Sequence, residues 1–144
     1  MKTIVQSTTP NTSLPKNLHQ LVSLAVENSV LTAVQRNSFI VNDVPREFQI
    51  ATDEKILAAI LNSLLITVVN HTKHSCIRIK AKEYDDIICV FIRDNSTYSD
   101  YASTSNLEQV KLLAKKMNGN VSIRNMEDKF TSILLSFPNF PKAA

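Results

Sequence analysis

A chain of 144 residues fits one ordinary domain with a single substantial core, and no second domain is expected. An apolar share of 44% against 20% charged residues excludes a disordered or fibrous protein, and a net charge of +3, scattered without basic runs interleaved with aromatics, gives no sign of nucleic-acid binding. The single glycine, Gly119, stands where average usage of about 7% would give roughly ten, which speaks against any mechanism built on a glycine-rich phosphate cradle.

Residues 1–16 are rich in Ser, Thr, Asn and Pro and have no period, so they read as a flexible lead-in; without a continuous apolar stretch they do not form a signal peptide. From Asn17 to about Arg36 the spacing predicts a helix, with Leu18, Leu21, Val22, Ala25, Val26 and Val30 on its buried face. Phe39 and Val41, then Phe48 and Ile50, sit at alternating positions on either side of Pro45 and predict two short strands flanking a turn. Asp53 is placed to cap the helix that follows, DEKILAAILNSLLITVVNHT, whose Leu57, Leu61, Leu64, Leu65 and Val68 share one face. Ser63, Thr67 and Asn70 form a polar stripe beside that face. Hydroxyls bonding back to helix carbonyls are the ordinary structural account of such a stripe.

After Lys73 the period falls to two. Cys76–Lys82 and Ile87–Arg93 predict a hairpin turning through Glu83–Asp86, the second strand apolar on both faces and hence central. Asp94–Asn106 is polar and aperiodic, a surface loop. Leu107, Val110, Leu113, Ala114 and Met117 predict a third helix, stopped at Asn118-Gly119 through a left-handed residue. Val121–Arg124 and Thr131–Phe137 close the chain as a last hairpin around Met126–Lys129, and residues 139–144 form an unstructured tail. Cys76 and Cys89 lack partners at metal-site spacing and read as free buried thiols in a reducing compartment. The most apolar run, Ile56 to Val69, is too short to span a bilayer, so the expected location is the cytoplasm, without membrane contact.

Helix, hairpin, helix, hairpin, helix, hairpin is the order of a two-layer α+β sandwich, a mixed sheet with three helices on one face. This order, and the motifs along it, resemble the histidine-kinase-type ATP-binding domain, a branch of the Bergerat-fold family that includes gyrase and MutL. The likeness runs from about Leu18 to Pro138. Ser63-Leu64-Leu65-Ile66-Thr67-Val68 to Thr72 stands at the family's asparagine-box helix, and Asp94-Asn95-Ser96 at its Asp-x-Gly. Ser105-Asn106-Leu107 stands at the Gly-Leu-Gly-Leu, Asn118-Gly119 at the Gly-Gly, and Phe130-Thr131 to Pro138 at the closing strand.

The departures from the family bear on its chemistry. The resemblance puts Thr67 where the family's Mg²⁺-holding Asn stands, a shorter and poorer oxygen ligand, so no metal site is expected. Ser63 occupies the position of the hydrolases' general base and has no useful basicity near neutral pH. The lid glycines are replaced by residues whose side chains obstruct the approach of backbone amides to phosphate, Thr97, Tyr98, Ser99 and Ser103–Asn106 among them. Asp94 and Thr131 match the carboxylate and hydroxyl that hold adenine, with Ser96 in place of the glycine beside the purine and His71 one turn beyond Thr67. Ser63, Thr67, Asn70, His71, Asp94, Ser96 and Thr131 therefore make up a vestigial nucleotide site. Asp94 should face the Thr67 side of the helix.

None of His19, His71 and His74 sits in a phosphoacceptor pattern. The expectation is a degenerate, stand-alone ATP-binding domain acting as a binding or regulatory module in bacterial signalling. It takes a protein partner, with Tyr98 and Tyr101 as contact candidates, and needs no cofactor. The alternatives are a divergent ATP- and Mg²⁺-dependent protein kinase, of the sensor histidine kinase or anti-sigma-factor serine kinase kind, and a phosphotransfer adaptor that uses the domain only for docking.

Overall fold

The computed structural model describes residues 16–95, 105–126 and 130–139. In chain order its elements are β1 (Lys16–Asn17), α1 (Leu18–Gln35), β2 (Phe39–Asn42), β3 (Gln49–Ile50), α2 (Glu54–Asn70), β4 (Cys76–Tyr84), β5 (Ile87–Asp94), α3 (Ser105–Lys115), β6 (Asn120–Met126) and β7 (Phe130–Pro138). Five strands form one mixed sheet in the order β2-β4-β5-β7-β6, with β2 parallel to β4 and every other pair antiparallel. β5 is central, as its apolar run predicts.

Alternation along each strand sends one set of side chains to the helices and the other to the open face. Ile77, Ile79 and Ala81 of β4, Ile88, Val90 and Ile92 of β5, and Ile133, Leu135 and Phe137 of β7 are all buried. Against them lies α2, packed between α1 and α3. Asp53 caps it, the side chain accepting from the amides of Lys55 (2.9 Å) and Ile56 (3.1 Å). The five apolar residues predicted for its inner face are 0–1% exposed, and Ile60 and Val69 are buried as well because neighbours close on three sides. On α1 the inner face runs on to Ala33, which is fully buried, but shifts by one position from the predicted spacing. Val30 is 44% exposed, and Ser29 turns inward in its place.

The first predicted pair of strands is not a hairpin. β2 joins the main sheet alongside β4, connected through α2 as a crossover, whereas β3 pairs antiparallel with β1 in a separate two-stranded ladder. Lys16 is thus already in a strand, at the end of the segment that reads as lead-in. The β4–β5 strands run longer than predicted and turn through Asp85 and Asp86 alone, both at positive φ (48° and 67°), the primed turn that matches strand twist. The tail is anchored at its first residue: Asn139 donates its amide to Asp86 O (2.6 Å) and accepts from the amide of Ala51 (2.8 Å).

α3 begins at Ser105, two residues before the predicted start, and ends in the expected left-handed stop. Asn118 takes φ 59°, its amide bonds Lys115 O (3.1 Å) and the next amide, Gly119 N, bonds Ala114 O (2.7 Å), the pattern of a Schellman cap. Gly119 itself has no positive φ. It is required by proximity, since a Cβ there would lie 2.7 Å from Ser136 O on β7. Cys76 and Cys89 are free, as expected, but half-buried toward the open face, and burial pushes the Cys89 thiol up from its usual range. Gly119→Ala should therefore force α3 away from β7 and lower stability by about 1 to 3 kcal/mol, the usual cost of overpacking, read as a fall in the urea midpoint at unchanged slope.

Candidate functional site

The helix-facing row of β5 ends not in a fourth apolar residue but in Asp94, which is fully buried. Its cross-strand partner on β7 is Thr131, 3% exposed and on the same face, which sets the two Cβ atoms about 5 Å apart. The Thr131 hydroxyl has no hydrogen-bond partner among the described residues. From the other side the Ser75 hydroxyl donates to Asp94 Oδ1, and the Asn95 Oδ1 lies 2.9 Å from the same hydroxyl. One proton therefore faces two acceptors, a tight polar knot in an otherwise apolar layer.

Ser75 is held by its backbone as well. Its amide donates to Ser38 Oγ (3.0 Å), its carbonyl accepts from Phe39 N (3.0 Å), and Asn95 Oδ1 also takes the amide of Cys76 (3.0 Å). The segment leaving α2, the start of β2 and the end of β5 are thus locked together around one carboxylate. Nothing local in the sequence marks Ser75; its role arises from a contact 19 positions away.

The asparagine-box positions on α2 scatter. Thr67 is 1% exposed and its hydroxyl donates to Ser63 O (2.8 Å), so the ordinary account of the polar stripe holds for this residue. Thr67 and Asp94 are both buried. Ser63 is half-buried and lines a shallow hollow between α1 and α2 with Asn28, Ser29, Asn62 and Ile66. Asn70 is exposed at the helix end. His71 caps that end: its Nδ1 lies 2.8 Å from Thr67 O, an acceptor only, so Nδ1 carries the proton and donates. The structure therefore brings together Asp94, Thr131 and Ser75, and leaves Ser63 and Asn70 apart. Ser96, Tyr98 and Tyr101 lie outside the described residues.

No protein-family model matches the sequence, and no curated protein matches it. Solved structures do. The histidine kinase AdeS of Acinetobacter baumannii superposes with a TM-score of 0.77 at 10% identity, over 88% of this chain and 66% of that one. The catalytic domain of the histidine kinase ThkA gives 0.74 at 13% identity, over 89% and 96%. The chain has the fold of a histidine kinase catalytic domain. The mycobacterial sensor histidine kinase MprB, at 0.67 and 13% identity, is covered throughout its length by 90% of this chain. Full-length ShkA, solved with AMPPNP, is covered over only 33% of its length, so the match is to the catalytic-domain fold and not to a whole kinase. Among the described residues no helix is long and apolar enough to cross a membrane.

Ser75→Ala removes one donor from the buried Asp94 carboxyl and should cost about 1 to 3 kcal/mol, whereas Asn70→Ala, on an exposed helix end, should stay within about 0.5 kcal/mol. Thermal or urea melts of the two variants check the difference.

Proposed function

We propose that this protein is a degenerate histidine-kinase-type ATP-binding domain that has kept the fold and lost the phosphate chemistry, and that it serves as a binding or regulatory module in bacterial signal transduction. The observation that carries this reading is Thr67. At the position the resemblance assigns to the Mg²⁺ ligand stands a hydroxyl that is 1% exposed and bonded back to its own helix. Such a group offers no open oxygen to a hydrated cation, so Mg²⁺-triphosphate does not fit this site. Gly119, the chain's one glycine, is engaged in packing α3 on β7 and is not available to cradle phosphate.

The adenine side is better preserved. Asp94 and Thr131 stand opposite each other, and the Thr131 hydroxyl has hydrogen-bonding capacity to spare among the described residues. Against a ligand there, Ser75 competes for the same Asp94 oxygen. The reading is thus of weak, Mg²⁺-independent adenine binding at most, no hydrolysis, and a protein partner as the functional ligand, with Tyr98 and Tyr101 as its contact candidates.

Isothermal titration with ATP, with and without Mg²⁺, tests it. Three missing charge-assisted phosphate contacts cost on the order of 5 kcal/mol, which turns a micromolar site into one of about millimolar affinity or weaker. Asp94→Asn should abolish whatever binding remains. Thr67→Asn alone should not create tight binding, because the lid is still missing. A micromolar, Mg²⁺-dependent affinity in the unmodified protein would overturn this reading in favour of a divergent protein kinase.

A further inference from the structure

The open face of the sheet collects what looks scattered in the sequence. Arg78, Lys80 and Lys82 occupy successive outward positions of β4, about 6.8 Å apart, and all three are exposed. In the cross-strand register Arg78 lies directly opposite Arg93 of β5, and Ser132 of β7 then connects Arg93 to Arg124 of β6, so three guanidinium groups share one row across four strands. Among the described residues no Asp or Glu occupies an outward position of β4, β5, β7 or β6. Among the described residues the offsetting carboxylate is Asp43, beyond the end of β2, which pairs with Arg78. Like charges set directly opposite on a sheet are destabilising, so a one-sign face costs this domain stability that the fold does not require.

Rings are interleaved with these charges. Phe91 stands opposite Lys80, Tyr84 ends the β4 column at 53% exposed, and the Arg93 guanidinium lies 4.2 Å from the centroid of the Phe130 ring. Arg78, Lys80, Lys82, Tyr84, Phe91 and Arg93 line a shallow groove of about 210 Å³. Cations run down one strand and flat apolar surface lies on the next. A single-stranded nucleic acid has the same asymmetry, with phosphates along one edge and bases along the other; an acidic peptide would use the cations alone, and an anionic membrane would need rings that project into it, whereas Phe91 is half-buried within the groove.

We propose that this open sheet face, centred on Lys80, Lys82, Arg93 and Phe91, binds single-stranded nucleic acid, the cations tracking phosphates and Phe91 and Tyr84 stacking bases. The site is on the opposite side of the sheet from Asp94 and Thr131, and it is independent of the nucleotide question.

Fluorescence anisotropy with a labelled oligothymidylate or oligouridylate, between about 50 and 200 mM salt, tests it. Binding should weaken steeply with salt, and Lys80→Ala with Lys82→Ala should lower the log–log slope by about 1.4, since each phosphate contact on a single strand contributes about 0.7. Phe91→Leu, which keeps apolar volume, and Tyr84→Ala, at an exposed position, should each weaken binding roughly fivefold or more while leaving the slope unchanged, the mark of lost stacking. Circular dichroism confirms that each variant is folded. Absence of binding at the lowest salt overturns the proposal. So does a result in which both aromatic variants bind as well as the parent and polyglutamate or phosphatidylserine vesicles compete equally, because the face would then take any polyanion.

Discussion

Burial of one side of the five-stranded sheet against α2 is the constraint from which the other features follow. With a side-chain period of two, every residue of β4, β5 and β7 has to go either under the helices or into the open, and register slips are costly because they exchange the two sets. Ile88, Val90 and Ile92 take the inner side, and the same alternation carries Asp94 inward with them. A carboxyl so placed has to find donors, and the Ser75 hydroxyl meets it from the segment that leaves α2. The outer set, by the same alternation, brings Arg78, Lys80, Lys82 and Arg93 together. The inner polar knot and the outer basic face are two results of one pattern.

The scarcity of glycine shapes the domain in a different way. The chain has only Gly119, and that residue serves the contact between the end of α3 and β7, where the backbone oxygen of Ser136 leaves no room for a methyl group. The left-handed positions that glycine often fills are taken by Asn37, His74, Asp85, Asp86 and Asn118. Asn and Asp tolerate that conformation because their short polar side chains bond locally. Turns are therefore made without glycine, and the one glycine is kept for a close packing contact.

What the sequence discloses and what it conceals divide along the range of the interactions. α2, its Asp53 cap and the Asn118 stop are local, carried by helical spacing and by side chains that act within three or four residues, and they read correctly. The separation of β2 from β3 does not, because β2 finds its partner in β4 only after α2 has crossed the layer. Ser75 is equally silent, a serine after a helix like many others. The basic face was legible in part: β4 alternates openly, but a four-residue turn at Glu83–Asp86 would set Arg78 opposite Phe91. The two-residue turn shifts the ladder so that Arg78 meets Arg93. The candidate site shows the same division. Asp94 and Thr131 are brought together by register, whereas Ser63 and Asn70, expected with them, are turned away by the rotation of α2.

Asn139 has a mechanical consequence. Its side chain takes the amide of Ala51 and its own amide bonds Asp86 O, while Lys16 pairs with Ile50 on the neighbouring short ladder. The point where the described chain enters the fold and the point where it leaves are therefore fastened to adjacent residues, Ile50 and Ala51. Tension applied through residues 16 and 139 would be borne at this one corner, by a few short hydrogen bonds sheared or peeled in turn.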